Sequence, residues 1–205
     1  MKKFLPWIIA VVVIFGMYSY VKGINNNAIT LDQTVQEAWG NVNTSYQRRN
    51  DLIGNLVKTV KGAADFEKST LEAVINARSK ATSVTIDPTN ITPEQLAQFN
   101  QAQSGVSSAL SRLLVTVERY PDLKANQNFL KLQDELASTE NQILTARTRF
   151  NEAVKPYNNH IKIFPNNLFA GMFGFKEKVY FEAVAGAEKP VDVEFDFGND
   201  KEEAK

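Results

Sequence analysis

The residue types that usually carry catalysis or metal binding are nearly missing from this sequence. It contains no cysteine and one histidine, His160, which excludes thiol catalysis, disulfides, and cysteine or multi-histidine metal sites within one chain. The sequence has no Glu-x-x-His pattern for a carboxylate-bridged metal site in a helical bundle and no glycine-rich phosphate loop. For His160, beside two asparagines near a predicted helix end, a solvated or capping role is favoured over a ligand role. We therefore predict no catalytic residue, metal ligand or cofactor, and a protein that is not an enzyme.

Charged and amide residues that share helix faces with apolar neighbours form the remaining candidate site. Arg49 lies in the apolar stripe of the first predicted helix, and Glu140 and Arg147 share a face of the third because they are seven residues apart. An interior network of Arg49 with Glu140, or of Glu118 with an arginine, would explain charges among apolar residues. The candidate network comprises Arg48, Arg49, Asp51, Asn55, Glu118, Glu140, Arg147 and Asn151.

Two interpretations of this polar network remain open. In the first, buried pairs set the register of long helices that could otherwise slide, and removing one partner would cost about 3–5 kcal/mol. In the second, the network binds an anionic or peptide ligand in a groove of the bundle. The structural interpretation is favoured.

The overall charge argues against a nucleic-acid partner. Lysine plus arginine equals aspartate plus glutamate, 23 against 23, so no global field attracts a polyanion.

An apolar N-terminal segment predicts a membrane anchor. Residues 4–21 (FLPWIIAVVVIFGMYSYV) carry no charge and would span roughly 27 Å as a helix, close to the thickness of a hydrocarbon core. The alternative, a cleaved signal peptide, is disfavoured because MYSYVKG offers no small-x-small cleavage site. Lys2 and Lys3 before the segment, against Lys22 alone after it, predict a cytoplasmic N-terminus and an extracytoplasmic domain.

The remaining sequence predicts an all-α fold: an antiparallel up-down bundle of three long helices. The first follows a polar joint (residues 22–28, with three asparagines), is capped by Thr30 or Asp32, and continues to residue 74 on one apolar stripe that only Arg49 interrupts. The second covers about residues 93–119 and the third about 122–162, with Pro156 expected to kink it. The predicted organisation is a basic flank (1–3), a transmembrane helix (4–21), the joint (22–28), the bundle (29–181) and an extended acidic tail (182–205). Within that tail, VDVEFDF alternates like a strand, and the final residues are expected to be disordered.

A short apolar cluster follows the third helix. The sequence LFAGMFGF is interpreted first as a lid that closes one end of the bundle. The alternatives are a patch that docks a partner or a segment that enters the membrane surface. The residues of this candidate patch are Leu168, Phe169, Met172, Phe173 and Phe175.

Several motifs, in order along the chain, resemble the LemA family. Residues 47–57 (QRRNDLIGNLV) are similar to its RRxDLIPNLV signature, and residues 118–126 (ERYPDLKAN) to its E-x-YPdLkan segment. Later matches are Phe150-Asn151, Tyr157-Asn158 and Phe164-Pro165, so that the resemblance covers roughly residues 5–181. Gly54 departs from it, because the family usually has proline there. The resemblance implies a membrane protein with a helical bundle but supplies no activity.

Two functions remain open at this point. The preferred one is a non-enzymatic, membrane-anchored scaffold or adaptor of the bacterial cell envelope, whose partners would be the membrane and another envelope or membrane protein. The alternative is a bundle that senses a lipid, a peptide or a cell-wall fragment. Gln47, Ser69 and Gln103 are predicted on outer helix faces, where a partner could be detected by crosslinking. The oligomeric state is not predicted.

Overall fold

The structure, a computed structural model, describes residues 4–62 and 66–182, and all of its regular elements are helices. The predicted all-α class is therefore confirmed. The segment VDVEFDF, which alternates like a strand, and residues 183–205 of the predicted acidic tail lie outside the described residues. The helices are α1 (Leu5–Lys61), α2 (Lys68–Ser83), α3 (Pro93–Val117), α4 (Pro121–Lys124), α5 (Gln127–Lys162) and α6 (Asn166–Ala170).

Helix α1 joins the apolar N-terminal segment to the bundle without a break. Its 57 residues give a length of about 86 Å at 1.5 Å per residue. The residues predicted as a joint are helical, and Thr30 does not cap a helix start, since its hydroxyl donates to the carbonyl of Asn26 one turn earlier at 3.0 Å. Asparagine lowers helix propensity by under about 1 kcal/mol, and Ile24 and Ala28 are buried on either side of the asparagine run, which favours continued helix. The division into domains stays a prediction.

The prediction of one continuous first bundle helix was wrong, because the structure has two helices there. The apolar stripe keeps its spacing from Val60 to Leu71, but α1 ends at Lys61 and α2 begins at Lys68. Helix α2 folds back, as the contact from the Arg78 side chain to the carbonyl of Asn50 shows. A hairpin is favoured because both halves of one long stripe are then buried against the same core.

The other helix starts follow local capping rules. Thr92 accepts a hydrogen bond from the backbone N–H of Gln95 at 3.2 Å, and the Gln95 side chain accepts from the N–H of Thr92, so α3 begins where the sequence predicts. The predicted third helix is interrupted near its start. Asn126 accepts from the N–H groups of Asn128 and Phe129, which caps α5 and separates it from α4.

Helix α5 packs along α1 in the antiparallel direction, and the α2–α3 hairpin covers them. Two apolar clusters fill the interior. The cluster nearer the apolar segment is built on Trp39, whose ring lies 5.5–5.9 Å from those of Phe99, Phe150 and Phe181. The second cluster includes Leu113 and lies beyond Arg49 toward the far end of α1.

Phe150 is expected to dominate the stability of the first cluster. Replacing it by alanine should lower the free energy of unfolding by about 3–5 kcal/mol, because a cavity would open beside Trp39. Leu144 is 64% exposed on the same helix, so its replacement by alanine should change that free energy by less than about 0.5 kcal/mol. Urea unfolding of the full chain in detergent micelles, followed by circular dichroism, measures both. Equal effects would contradict this packing.

Candidate functional site

Arg49 is the point at which three helices meet. From α1, its Nη1 donates to Glu140 Oε1 on α5 at 2.9 Å, and its Nη2 donates to Gln103 Oε1 on α3. A longer contact of 3.4 Å joins Nη1 to the Ser107 hydroxyl. The guanidinium also lies 5.0 Å from the centre of the Tyr46 ring. One side chain therefore joins α1 to both α3 and α5.

The two ends of the Arg49–Glu140 pair differ in burial. The arginine side chain is 3% exposed, whereas the glutamate side chain is 46% exposed and keeps part of its hydration. Desolvation therefore falls mainly on the arginine, and its hydrogen bonds oppose that cost. Burial also raises the pKa of Tyr46, against the opposing effect of the nearby Arg147 and Arg49 charges, so that its hydroxyl stays neutral over the physiological range.

A cavity of about 490 Å³ opens beside this pair, with Arg49, Arg147 and Glu140 among its lining residues. Within the described residues, Arg49 Nε and Asn50 Oδ1 are buried without a hydrogen-bond partner. This is unusual, because buried polar atoms are nearly always paired. The arrangement could hold a small polar group.

A row of polar side chains on α5 binds the extended chain that follows α6. The Asn158 amide donates to the carbonyl of Lys178 at 2.7 Å and accepts from its N–H at 2.9 Å. Asn151 makes the same two-way contact with Phe181 at 2.9 and 2.8 Å. Because the two asparagines are seven residues apart, they meet the extended backbone from one face of α5. In the described part of the chain this backbone pairs with no strand, and the two amides make the hydrogen bonds that a neighbouring strand would make.

The side chains of this extended segment complete the attachment. Arg147 donates to the carbonyl of Glu182 at 3.0 Å and lies 4.7 Å from the centre of the Phe181 ring. Lys178 is buried and forms an ion pair of 2.7 Å with Asp32 on α1. Tyr157 donates to the carbonyl of Lys176 at 3.0 Å. Its burial, together with the Asp32 carboxylate, raises its pKa to about 12.

The predicted network is only partly gathered in space. Arg49, Glu140, Arg147 and Asn151 lie along the α1–α5 interface and the C-terminal segment. Arg48, Asp51 and Asn55 are exposed on α1, and the exposed Glu118 pairs with Lys124 rather than with an arginine.

Four residues that complete these contacts were not predicted: Gln103, Asp32, Asn158 and Lys178. Gln103 was expected on an outer face and is buried; this expectation was wrong, because its amide faces Arg49. Only Asn158 had a signal in the sequence, as part of the Tyr157-Asn158 motif. The partners of Asp32 and Lys178 depend on chain reversals that local patterns do not contain.

His160 and the LFAGMFGF segment lie where α5 reaches the apolar half of α1. His160 Nε2 donates to the carbonyl of Ile24 at 3.0 Å, so this half-buried side chain bridges two helices instead of being solvated or capping an end. Of the predicted patch, Leu168, Met172 and Phe173 are exposed. Phe175 packs on the first cluster and Phe169 is half-buried. The described residues contain no group of three or more His, Cys, Asp or Glu side chains placed to hold a metal ion.

The sequence model of the LemA family matches residues 38–195. The chain belongs to the LemA family. The family membership predicted from the motifs is thus confirmed, and the match includes Arg49, Glu140 and both asparagines. Gly54, which stands in place of the usual proline, lies inside α1 against Arg78: a Cβ there would be 3.5 Å from the guanidinium.

Curated relatives of this LemA-family chain include magnetosome proteins. Magnetosome protein MamQ 2 of Paramagnetospirillum magneticum is 27% identical over 183 residues, covering 81% of this chain and 67% of that protein. Magnetosome protein MamQ of Magnetospirillum gryphiswaldense is 26% identical, with the same coverage. Protein LemA of Metamycoplasma hominis is 25% identical over 178 residues, covering 86% of this chain and 78% of that protein.

The Arg49–Glu140 pair can be measured by a double-mutant cycle of Arg49→Met and Glu140→Gln. We expect a coupling energy of about 1–3 kcal/mol, because the two side chains share one network and the arginine is buried. The exposed pair of Glu118 and Lys124 is the control, and its coupling should not exceed about 1 kcal/mol. The measurement is urea unfolding of the full chain in micelles. A coupling energy for Arg49 and Glu140 no larger than that of the control pair would contradict a structural role for this pair.

The raised pKa of Tyr157 predicts a loss of stability in alkaline solution. In the unfolded chain this tyrosine has a pKa of about 10. Between there and a folded pKa of about 12, the folded protein keeps a proton that the unfolded chain has lost, so stability falls as pH rises. Tyr157→Phe should show a shallower decline over this range, at a cost near neutral pH of about 1 kcal/mol for the lost hydrogen bond. Parallel pH profiles for the variant and the natural chain would contradict this prediction.

Proposed function

We propose that this LemA-family protein is a non-enzymatic, membrane-anchored adaptor that holds a helical segment of another envelope or membrane protein at a set distance from the bilayer. The observation that carries this function is an open groove between α2 and α3, on the outer side of the hairpin, with a volume of about 770 Å³.

The chemistry of the groove suits an α-helix. Most of its lining side chains are small or amides, which allows a partner backbone to approach closely. The charged lining residues are Lys80 and Arg112, with no carboxylate among the lining residues in the described part of the chain, so an acidic helix face is favoured. The exposed Val115 continues the same face of α3 one turn further. A mixed stripe left after the bundle has packed is the feature that an adaptor requires.

The anchor is supported by the structure of α1. One helix in the described residues is long and apolar enough to cross a membrane, and only 6% of its apolar window is buried against the rest of the chain. A core helix would be mostly buried. Because α1 continues to Lys61, the groove lies at a defined height: the level of Arg49 and Gln103 is roughly 40 Å along α1 from Lys22 at 1.5 Å per residue.

The orientation of the protein is part of the same proposal. The lysines before the apolar segment favour a cytoplasmic N-terminus, which places the bundle on the extracytoplasmic side. The partner would then be a periplasmic or extracellular segment of an envelope protein.

The second candidate function is ligand sensing at the cavity beside Arg49. Its support is the buried Arg49 Nε, which has no partner in the described residues. The adaptor is preferred because both arginines of that cavity already bind this chain, at Glu140 and at the carbonyl of Glu182.

The adaptor can be tested by filling the groove. Gly105 lies in the groove, and a Cβ built there meets no atom within 4 Å, so Gly105→Leu should fold and leave helix stability equal or higher. A photoreactive residue at Gln101, in cells that naturally make the protein, should give one recurrent protein adduct. Gly105→Leu should abolish that adduct.

Two controls make the crosslinking result specific. Gly40→Leu, also on an open helix face with no atom within 4 Å, should leave the adduct unchanged. A photoreactive residue at the exposed Leu144 on α5 should not give the same adduct. An adduct that survives Gly105→Leu, or that forms equally from position 144, would refute the groove as the adaptor surface.

A further inference from the structure

A second exposed surface lies at the opposite end of the bundle from α4. It is formed by five apolar residues around α6, here called the apolar tip: Ile163, Phe164, Leu168, Met172 and Phe173. Phe164 and Met172 are 78% and 79% exposed. From Ile163 to Phe175 the sequence has no charged residue. Such a concentration of large apolar side chains at a surface marks a contact with something other than water.

Hydrogen bonds place the apolar tip beside the end of the membrane-spanning segment. His160, just before the tip, bonds to the carbonyl of Ile24, and Asn166 of α6 donates to the carbonyl of His160 at 2.9 Å. Ile24 is two residues after Lys22, the first charge after the apolar run, which is about 3 Å along the helix axis. The tip therefore lies at the height where α1 leaves the hydrocarbon.

We propose that the apolar tip is inserted in the membrane interface, so that the protein contacts the bilayer at a second point beside its anchor. The occupant of this surface is lipid at the boundary between headgroups and acyl chains. The exposed Lys22, at the end of the apolar run of α1, and Lys176, which directly follows Phe175, favour the headgroup phosphates of anionic lipids. The inference rests on the proposed anchoring by α1.

The backbone of the tip is suited to an environment with little water. In residues 163–175, the segment that carries the tip, five N–H groups donate to carbonyls of the same segment: those of Asn167, Leu168, Phe173, Gly174 and Phe175, at 3.0–3.2 Å. A segment at the edge of the hydrocarbon needs this internal pairing, because unpaired backbone groups are costly there.

A single tight turn returns the chain from the tip to the bundle. Gly174 has a φ of 79°, which favours glycine. Phe175 then packs on the first apolar cluster, and the asparagines of α5 hold the chain that follows. The tip is thus a short loop with a firm base on both sides, which suits a fixed contact with the bilayer.

The test uses the full chain reconstituted into vesicles of phosphatidylcholine and phosphatidylglycerol. Because the chain has no cysteine, Met172→Cys accepts one environment-sensitive fluorophore, and nitroxide-labelled lipids report contact with acyl chains. We expect nitroxides near the headgroup end of the acyl chain to remove most of the fluorescence. The matched control is Leu144→Cys, an exposed leucine on α5 roughly 24 Å along the helix from His160, which should not be quenched.

A second variant and a second label separate the possible failures. Leu168→Asp in the Met172→Cys chain adds a charge at an exposed site, so the fold should persist by circular dichroism while quenching falls to the level of position 144. A label at Ile14→Cys tests the anchor itself. Quenching at position 14 without quenching at 172 would overturn the membrane contact of the tip and leave the anchor intact. No quenching at position 14 would overturn the proposed anchoring as well.

Discussion

The bundle depends on one constraint: the buried guanidinium of Arg49 must find its hydrogen-bond partners on two other helices at once. Gln103 on α3 and Glu140 on α5 can meet it only at one register. Apolar clusters lie on both sides of this point. A buried ion pair is weak evidence for net stability, because desolvation opposes the attraction between the charges. We propose instead that the arginine selects one register of the three helices.

Polar side chains also fix the chain between Arg49 and the apolar segment of α1. Asn151 and Asn158 hold an extended chain against α5, and that chain supplies Phe181 to the aromatic cluster around Trp39 and Lys178 to Asp32 on α1. The C-terminal part of the described chain thus completes the core instead of lying loosely upon it. It also closes the loop that presents the apolar tip beside the end of the apolar segment of α1. Groove and tip are consequently at fixed positions along one long helix.

The sequence predicted those features whose causes are local. The all-α class follows from helical spacing, and the start of α3 from the Thr92–Gln95 cap. The turn between α1 and α2 could not be predicted, because the apolar stripe keeps its period through it. The pairing of Arg49 with Glu140 was one of two pairings that the sequence allowed, the other being Glu118 with an arginine. Helical spacing shows which residues share a face, but it does not show which faces of different helices meet. The contact between Asn158 and Lys178 could not be predicted, because Lys178 lies 20 residues further along, in an extended segment with no pattern of its own. The same holds for the ion pair of Lys178 with Asp32, which lies on the distant helix α1.

The central claim is that α1 is one rigid helix from the membrane interface to the Arg49 layer, so that the bilayer and the bundle keep a fixed geometry. It can be tested by the distance between spin labels at Lys22→Cys and Gln47→Cys, measured by pulsed electron paramagnetic resonance on the full chain in nanodiscs. Both side chains are exposed, and the chain has no other cysteine. A continuous helix predicts a single narrow distribution of label distances, centred at about 37 Å from a rise of 1.5 Å per residue. A broad distribution, or a much shorter main distance, would show a hinge at the asparagine run and contradict the claim.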